Sequence, residues 1–566
     1  MNSASGQSGS NLNDAATIPP PHGRRALPAV AERVLVIGLD GATMDVLGPL
    51  MDEGFMPRLA EVVRGGATGV LWSTVPPVTP AAWTTFLTGK NPGAHGALDF
   101  EYYDAKAGLI RFHSTRSLGR NRNLWQILSD KGFRVGSVNV PLTYPPITLE
   151  NGFVVSGFET PGPQSDFVSP PRLREEILAR WPDPTLKSKW KREVGGGDEL
   201  FQHNLDYISA SFHQGADMTI HLGEQGSWDV LMVVFKLVDN LQHKTWKYID
   251  PRWRDRAPAR RDAVKACFAR LDEAIGKLLD YAATYRASIL MVSDHGHGSM
   301  EGTVYPNVLL KRWGYLHLQR GWPRLRAQLA RLIRRKSNLD ALAQPVGIEK
   351  YVPADLARTR ACVMHAGNGG FLFVNLKGRQ PTGIVDPCDY EAIRDDLQAR
   401  LQAERATDPT GQVIQVFPEV HKPEELYGCT RLDQPWMPDL ILIQHDPIAV
   451  GRRIKGRNPM EWLSYGKLEG THRKEGILIA RGPGIACRNG VSANIVDCAP
   501  TILAMMGLRI PDDMHGRVIT DLFEKPPRVE RAAAEAFEPV EAPTEVYTEA
   551  ELAEVTDRLV DLGYME

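Results

Sequence analysis

Three aspartates stand directly after apolar segments of the sequence. Asp40, Asp239 and Asp294 each follow a run of apolar residues that predicts a buried strand. In an open α/β sheet the carboxyl ends of parallel strands meet at one edge, where such proteins build their sites. Carboxylates brought together there repel one another unless cations neutralise them. The pattern therefore predicts a metal site.

Three histidines accompany these aspartates. Asp239 and His243 are four residues apart, about one turn of a helix, so both side chains can reach the same ion. His295 directly follows Asp294, and His472 lies on a loop that leads into another apolar run. Carboxylate oxygens combined with imidazole nitrogens suit zinc or manganese, and they discriminate poorly between these metals and iron. The six residues provide ligands for two divalent ions.

A candidate nucleophile lies between the first two aspartates. Thr79 precedes Pro80, and the following AAWTTFLTG predicts a short helix with Thr79 at its N-cap. A hydroxyl at the positive end of a helix and next to a metal can be deprotonated and attack phosphorus. A capping threonine is the simpler interpretation of Thr79 taken alone. His95 and His297 lie near the same motifs, where each can contact a substrate or only support the site.

Five short motifs follow one another along the chain: GLDGA, T-P-x(7)-T-G-x-x-P-x-x-H-G, D-x-x-x-H, S-D-H-G and G-T-H. In this order they resemble the type I phosphodiesterase and nucleotide pyrophosphatase family of the alkaline phosphatase superfamily. The resemblance extends from Val34 to Phe523. It implies an alkaline-phosphatase-like three-layer sandwich, in which a central, mostly parallel sheet has helices on both faces and an inserted cap.

The resemblance also implies two metal sites, and it divides the candidate ligands between them: Asp40, Thr79, Asp294 and His295 in one, and Asp239, His243 and His472 in the other. Thr79 would be the catalytic nucleophile and would form a covalent phosphothreonine that is then hydrolysed. The predicted protein is a two-metal phosphoric ester hydrolase, specifically a phosphodiesterase. Its cofactors would be two divalent metal ions, Zn²⁺ or alternatively Mn²⁺, and its partner a small phosphate-ester substrate.

Three alternatives remain open for this set of residues. A phosphotransferase or mutase of the same superfamily would pass the phosphoryl group to a second hydroxyl instead of water. A phosphonate hydrolase would use the same metals and the same threonine on a phosphonate. A catalytically inactive relative would act as a binding protein, and its expected sign is the loss of a ligand, which the motifs do not show.

The elements that must position these residues form an α/β pattern. From Arg33 onward, short apolar runs alternate with helical stretches, which is typical of a mostly parallel sheet with helices on both faces. The predicted strands are Val34–Leu39, Val135–Val140, 153–156, 230–238, Ser288–Val292, Leu440–Ile443 and 477–480. A helix is predicted over 261–281, where apolar residues recur at spacings of three and four.

Composition predicts how the chain is divided. Residues 1–32 contain few bulky apolar side chains and predict a disordered tail. Segments 33–300 and 439–523 form the predicted hydrolase core, 301–438 lacks the strand and helix alternation and predicts a cap, and 524–566 predict a linker and a C-terminal helix over 548–562. Within the cap, 311–336 carries nine Lys or Arg and no acid. It is interpreted as a solvated helix face, with membrane binding as the alternative.

The overall composition excludes several classes of protein. The 566 residues include 66 basic and 68 acidic side chains, a net charge of -2, so no overall field would attract nucleic acid. Six scattered cysteines without a C-x-x-C motif suit reduced thiols in the cytoplasm. No apolar run reaches the roughly 18 residues that span a bilayer. We therefore expect a cytoplasmic protein without a transmembrane segment or nucleic-acid partner.

Overall fold

The computed structural model describes residues 24–535 and 546–561, apart from gaps at 120, 185–189, 191–196, 320–345, 348–353, 366, 430–433, 435, 453 and 455. Fourteen α-helices lie within the described residues. They are α1 (Met44–Asp52), α2 (Pro57–Gly65), α3 (Thr79–Thr88), α4 (Pro92–His95), α5 (Leu124–Asp130), α6 (Arg174–Arg180), α7 (Gly197–Glu224), α8 (Leu237–Ile249), α9 (Pro258–Thr284), α10 (Pro306–Arg312), α11 (Tyr390–Ala403), α12 (Pro423–Tyr427), α13 (Cys498–Met505) and α14 (Glu549–Asp561).

A nine-stranded sheet forms the centre of the molecule. Its strands are β1 (Val34–Leu39), β2 (Ala67–Trp72), β3 (Val135–Val140), β4 (Gly152–Ser156), β5 (Val168–Ser169), β6 (Val230–Phe235), β7 (Ser288–Val292), β8 (Glu475–Arg481) and β9 (Arg488–Asn494). Across the sheet the order is β9-β2-β8-β7-β1-β6-β3-β4-β5. Five neighbouring pairs are parallel, and three pairs, which involve β8 or β5, are antiparallel. The predicted mostly parallel sheet is confirmed.

Helices cover both faces of this sheet, because its central strands are apolar on both sides. Leu35 and Ile37 of β1 pack into a core formed with α1, α2, α7 and α9. Val34 and Val36 point to the opposite face, into a second core formed with α3, α5 and α13. Successive residues of a strand point to opposite faces, so a strand buried on both sides reads as a continuous apolar run. The three-layer α/β architecture is thereby confirmed.

The register of the central strands explains why polar side chains meet at one edge. Strand β1 lies between β6 and β7, and Leu39 pairs with Phe235 while Gly38 pairs with Val292. The residue after each strand therefore leaves the sheet at the same edge. Asp40 follows β1 directly, and α8 begins two residues after β6. The predicted strand over 230–238 is too long, since its last residues are helical.

One predicted core strand belongs to a different sheet. Leu440–Ile443 is a strand, but it pairs with Gly370–Val374 and Glu419–His421 in a four-stranded, separate sheet. The central sheet resumes only at β8, so the predicted start of the second core segment at residue 439 is wrong. A four-residue apolar run indicates burial, and it carries no information about which sheet it joins.

Several smaller strand pairs complete the described structure. Gly296–Met300 pairs with Glu469–Arg473 in a two-stranded ribbon beside the sheet edge. The other strands are Glu101–Asp104, Leu109–Phe112 and Val346–Gly347 in one sheet, Gly302–Val304, Ile448–Val450 and Met460–Trp462 in another, Ala361–His365 with the four-stranded sheet, and the pairs Arg405–Thr407 with Val413–Gln415 and Ile510–Pro511 with Arg531–Ala532.

The predictions for the two ends of the chain have different outcomes. Residues 1–23 lie outside the described residues, but 24–32, which were also assigned to a disordered tail, do not behave as one. Leu27 and Ala31 are buried, and their backbone N–H groups donate to the carbonyl groups of Gly507 and Met505. That part of the prediction is wrong, because a few apolar residues with backbone partners suffice to order a short segment. The C-terminal helix is confirmed as α14.

The basic segment 311–336 lies largely outside the described residues, and only 311–319 can be placed, at the end of α10 and after it. Its interpretation as a cap helix therefore stays a prediction. Among the residues that the structure describes, no helix is both long enough and apolar enough to cross a membrane.

Candidate metal centre and nucleophile

Four side chains converge on one point beyond the sheet edge, and we call them the histidine cluster: Asp239, His243, His297 and His472. Asp239 lies in the first turn of α8 and His243 one turn later. The two-stranded ribbon delivers the other two, because His297 and His472 are directly opposite each other across its strands. Asp239 Oδ1 lies 3.2 Å from His243 Nε2, 3.5 Å from His297 Nε2 and 3.3 Å from His472 Nε2.

The opposite nitrogen of each ring in this cluster is held by a backbone carbonyl group. His243 Nδ1 lies 2.7 Å from the carbonyl oxygen of Gly470, and His297 Nδ1 lies 3.1 Å from that of Gly41. His472 Nδ1 lies 2.9 Å from the carbonyl oxygen of Pro77. A carbonyl oxygen can only accept, so each Nδ1 carries the proton and donates it. In a neutral imidazole the Nε2 atom is then left with a lone pair. Three lone pairs therefore face a carboxylate oxygen.

This arrangement fits a divalent cation. Lone pairs that face one another repel unless a positive charge lies between them, and histidine ligands typically donate their other nitrogen to a carbonyl group. In a tetrahedral site with bonds of about 2.0–2.1 Å, neighbouring ligand atoms lie about 3.3 Å apart. The distances of 3.2–3.5 Å match that value. The histidine cluster has the donor set and the size of a zinc site.

A second group lies beside it, and we call it the aspartate cluster: Asp40, Thr79, Asp294 and His295. His295 Nε2 is 3.3 Å from Asp294 Oδ2 and 3.7 Å from Asp40 Oδ1. Thr79 Oγ1 lies 3.1 Å from the same nitrogen and 3.5 Å from Asp40 Oδ1. Asp40, His295 and the nearby Asp239 can offer ligand atoms within 4.8 Å of one another. This cluster can hold a second cation next to the threonine hydroxyl.

Neighbouring groups fix the two carboxylates of the aspartate cluster. The indole nitrogen of Trp83 donates to Asp40 Oδ2 over 2.9 Å, which leaves Oδ1 directed at Thr79 and His295. The backbone N–H of Gly41 donates to Asp294 Oδ1 over 3.0 Å. Gly41 has a positive φ of 67°, and a Cβ there would lie 2.7 Å from His297 Nδ1. Glycine is required at this turn because of both the conformation and the space.

The helix that carries Thr79 begins one residue earlier than predicted. Its N-cap is Val78, in an extended conformation, and Thr79 is the first helical residue. The prediction that Thr79 is the N-cap is wrong. The hydroxyl is directed to Asp40 and His295 instead of capping the helix, and a start one residue earlier lies within the usual uncertainty of helix boundaries.

Lys236 is a buried cation between the two clusters. Its Nζ donates to Asp239 Oδ2 over 2.5 Å and lies 3.9 Å from Asp40 Oδ1. Lys236 directly follows β6, whose last residue pairs with Leu39, so it leaves the sheet level with Asp40. Lys236 was not among the predicted site residues, although its position one residue after a strand end was the available signal.

Burial and neighbouring charges separate the pKa values of the carboxylates. Burial raises the pKa of Asp40 to about 7, against the opposing charge of Lys236. Burial and the nearby Asp40 raise the pKa of Asp294 well above its usual value. Burial would also raise the pKa of Asp239, but His243 and Lys236 hold it well below the usual range. Of the three acids, Asp239 is therefore the one that is ionised most readily.

The imidazoles favour their neutral form. Burial lowers the pKa of His295 and His297 well below the usual value, and the neighbouring histidines add to the effect. Burial also lowers the pKa of His472. A histidine must be neutral to bind a metal ion. At neutral pH these rings are ready to act as ligands without first losing a proton.

The seven residues predicted as metal ligands lie close together at this sheet edge, and their role as metal ligands and their division between two cations stay predictions. His95 lies elsewhere: its Nε2 contacts the Thr85 hydroxyl at 2.8 Å and its Nδ1 accepts from the N–H of Ala97. His297, which was left open between substrate contact and support, is part of the histidine cluster. The signal was its spacing of two from His295, which puts both side chains on one side of an extended segment.

The fold and the clusters together define a class: an α/β enzyme with metal-binding side chains at the carboxyl edge of a three-layer sheet. The family model of type I phosphodiesterase / nucleotide pyrophosphatase matches residues 34–476. The chain belongs to this family, and it is a metal-dependent hydrolase of the phosphoester type. The predicted family is confirmed. The chain has no match among curated proteins.

Two solved structures illustrate the likeness of the fold. Phosphonoacetate hydrolase from Sinorhizobium meliloti, in complex with phosphonoformate, is 16% identical with a TM-score of 0.52, over 85% of this chain and 98% of its own. Murine ectonucleotide pyrophosphatase/phosphodiesterase 5, as an inactive variant in complex with AMP, is 12% identical with a TM-score of 0.49, over 84% of this chain and 95% of its own. The first supports the alkaline-phosphatase-like fold.

Proposed function

We propose that this protein hydrolyses phosphoric diesters with two divalent cations and with Thr79 as the nucleophile. The observation that carries the proposal is the position of Thr79 Oγ1, 3.1 Å from His295 Nε2 and 3.5 Å from Asp40 Oδ1. This hydroxyl lies in the first turn of a buried helix and contacts the other members of the aspartate cluster. The histidine cluster lies beside them. The ligand division is the predicted one, with Asp239, His243 and His472 for one cation and Asp40, Thr79, Asp294 and His295 for the other.

The reaction has two displacements at phosphorus. Thr79 Oγ1 forms a bond to phosphorus while the ester bond to one alcohol breaks, and that alcohol leaves with a proton. Water then attacks the phosphothreonine, the bond between Oγ1 and phosphorus breaks, and the hydroxyl of Thr79 is restored. When bound, divalent cations supply the positive charge that lowers the pKa of a hydroxyl or water and stabilises the phosphate oxygens.

The protein's own groups prepare this chemistry. Trp83 holds Asp40 so that Oδ1 is directed at the threonine, and Gly41 N–H holds Asp294. His295 and Asp40 can each accept the hydrogen of the Thr79 hydroxyl. Lys236 adds a permanent positive charge among three buried carboxylates. The three histidines with fixed Nδ1 protons favour zinc for the histidine cluster, and the oxygen-rich aspartate cluster also suits manganese.

The experiment compares Thr79→Ala and Thr79→Ser with the unchanged chain, after metal removal and reconstitution with Zn²⁺ or Mn²⁺. The substrates are bis-p-nitrophenyl phosphate and p-nitrophenyl phosphate. We expect Thr79→Ala to lower kcat by about 10³-fold or more, since the loss of a nucleophile removes the covalent route. Thr79→Ser should retain part of the activity. Thr84→Ala, in the same buried helix, is the matched control and should hydrolyse both esters normally.

Mass spectrometry of acid-quenched reactions tests the intermediate directly. A phosphoryl group on the peptide that contains Thr79, absent from Thr79→Ala, is the expected result. Unchanged turnover in Thr79→Ala would overturn the mechanism and leave open only the metal-dependent class.

A phosphonate hydrolase is the second candidate, because the similar fold of phosphonoacetate hydrolase accommodates phosphonoformate. Phosphonoacetate therefore belongs in the substrate panel, where release of inorganic phosphate would favour this alternative. Added alcohol acceptors separate hydrolysis from the phosphotransferase alternative, since a transferase would form a new ester instead of free phosphate. Within the described part of the chain the six cysteines form no disulfide bond, and a cytoplasmic location stays a prediction.

A further inference from the structure

His297 lies directly opposite His472 in the two-stranded ribbon, so both side chains can reach the same cation. The two residues face each other across the antiparallel strands Gly296–Met300 and Glu469–Arg473. The ring centroids of His297 and His243 are 4.6 Å apart, and the ring of Trp246 stacks against His297 with a centroid distance of 6.1 Å. The imidazole is buried on all sides. Its position is therefore fixed by the fold and not by solvent.

The orientation of the His297 ring matches that of His243 and His472, the two histidines predicted as ligands in this cluster. Nδ1 donates to the carbonyl oxygen of Gly41, and Nε2 is directed at Asp239 Oδ1 over 3.5 Å. This Nε2 atom is buried and has no hydrogen-bond partner among the described residues. A buried polar atom without a partner is destabilising unless something else satisfies it. A cation at the centre of the cluster would do so.

Two glycines make room for the ring. A Cβ at Gly41 would lie 2.7 Å from His297 Nδ1, and a Cβ at Gly470 would lie 2.9 Å from His297 Cδ2. A larger residue at either position would clash with the imidazole. The chain thus keeps the space that this histidine needs to reach the cluster.

We propose that His297 is a fourth protein ligand of the cation in the histidine cluster, in addition to Asp239, His243 and His472. The four ligand atoms lie within 4.8 Å of one another. The inference rests on the proposed function in one respect, namely that this cluster holds a divalent cation.

A fourth ligand changes how that cation is held. Four protein ligands occupy all positions of a tetrahedral site. In the aspartate cluster one of the four is the Thr79 hydroxyl, which reacts with the substrate, whereas all four ligands of the histidine cluster would be permanent. The cation of the histidine cluster is then the more tightly held of the two.

The test measures metal binding and not only turnover. The full chain is stripped of metal and titrated with Zn²⁺ against a chromophoric chelator, and with Co²⁺ while the visible absorption is recorded. We expect His297→Gln to weaken the tighter binding step by at least about tenfold, since even indirect partners of metal ligands are worth 10- to 100-fold. The Co²⁺ spectrum of the first equivalent should also change, because one imidazole has been replaced.

Two further variants separate this inference from the proposed metal site itself. His243→Gln removes a ligand that the motifs already imply, and His113→Gln removes a buried histidine outside both clusters. Loss of affinity in His297→Gln and His243→Gln, but not in His113→Gln, supports the inference. Normal affinity and an unchanged Co²⁺ spectrum in His297→Gln, with weakened binding in His243→Gln, overturn it and leave the proposed function standing. Normal binding in all three overturns both.

Circular dichroism of each metal-free variant excludes misfolding as the cause. If His297→Gln does not fold, His297→Ser is measured in the same way, since its smaller side chain cannot strain the space between Gly41 and Gly470.

Discussion

The histidine cluster and the aspartate cluster lie side by side at one sheet edge, and they differ in charge and in proton affinity. The histidine cluster has one carboxylate, which is readily ionised, and three imidazoles whose Nδ1 atoms are held by backbone carbonyl groups. The aspartate cluster has two carboxylates whose pKa values burial raises, one ring, and the Thr79 hydroxyl. The first is prepared to bind a cation at neutral pH. The second must lose protons to do so.

This difference indicates that the two proposed cations have different roles. In the proposed function, a cation in the histidine cluster would meet little competition from protons and would hold Asp239 in place for both clusters. A cation in the aspartate cluster, beside the hydroxyl, would serve the reaction, and its binding would respond to pH. Lys236 lies between the two and stabilises the carboxylates when metal is absent.

Asp239→Asn is expected to have the largest effect, because Asp239 can offer a ligand atom to either cluster. Hydrolysis of bis-p-nitrophenyl phosphate should fall by more than about 10³-fold, since one oxyanion donor alone is worth about 10²–10³. Metal analysis after dialysis should show both cations lost. Asp272→Asn, a buried carboxylate that binds the backbone N–H groups of Arg58 and Leu59, is the control. Retention of one full equivalent of metal would contradict the shared role of Asp239.

Lys236→Met should destabilise the metal-free protein by about 3–5 kcal/mol, because it leaves Asp239 and Asp40 without their buried cation. Urea unfolding at pH 8 measures the difference. Saturating Zn²⁺ should reduce it, since the metal then provides the charge. Lys265→Met, which removes a pair with Glu53 near the surface, should cost less than about 1 kcal/mol. An equal loss with and without zinc would show that Lys236 does not compensate for the cations.

The pH dependence of metal binding should distinguish the clusters. Below about pH 7 a cation must displace the proton of Asp40, so affinity of the weaker step should fall by about tenfold per pH unit. The tighter step should depend less on pH between pH 8 and 6, because Asp239 is ionised and burial lowers the pKa of His297 and His472. Chelator competition at several pH values measures both steps. Parallel slopes for the two steps would contradict the proposed division.

The same pKa shift affects stability in the metal-free state. Between the ordinary value of 3.8 and about 7, folded Asp40 holds a proton that the unfolded chain has lost. Its contribution to the free energy of unfolding therefore falls as pH rises through this window, by about 1.4 kcal/mol per pH unit. Urea unfolding without metal should show this decline, and Asp40→Asn should reduce it.

Trp83→Phe should have the smallest effect, because it removes one hydrogen bond to Asp40 Oδ2 and leaves both clusters' ligands in place. A hydrogen bond to a charged group is worth about 1.5–3 kcal/mol, so kcat/KM should fall roughly 10-fold or somewhat more. Trp125→Phe is the control, because the Trp125 indole nitrogen is buried without a partner among the described residues. Equal kcat/KM values in the two variants would show that Trp83 does not orient Asp40.

Much of the fold could be predicted because the central strands are buried on both sides. Val34–Leu39, Val135–Val140 and Ser288–Val292 have the predicted bounds, since a strand with two apolar faces is a continuous apolar run. Leu440–Ile443 is also a strand, but it belongs to the four-stranded sheet and not to the central one. An apolar run does not indicate which strand it pairs with. The tail was misjudged at 24–32, where two side chains are buried and five backbone hydrogen bonds are formed.

The candidate site shows the same limit. Asp40, Asp239 and Asp294 were found because their strand ends are visible in the sequence, and Asp239 with His243 because four residues make a helical turn. Lys236 was missed because its relation to Asp40 depends on the register of β1 and β6. The spacing of His297 was visible, but its direct pairing with His472 is a contact across 175 residues of chain.

The sequence by itself determined the kinds of ligand, their order along the chain and the family, since residue type and local spacing are properties of short segments. Only the tertiary structure decided which nitrogen of each histidine carries the proton, which carboxylate is ionised, and that a lysine and a fourth imidazole join the site. Those properties depend on burial and on partners from distant segments, because desolvation and hydrogen bonds act between atoms that only the fold brings together.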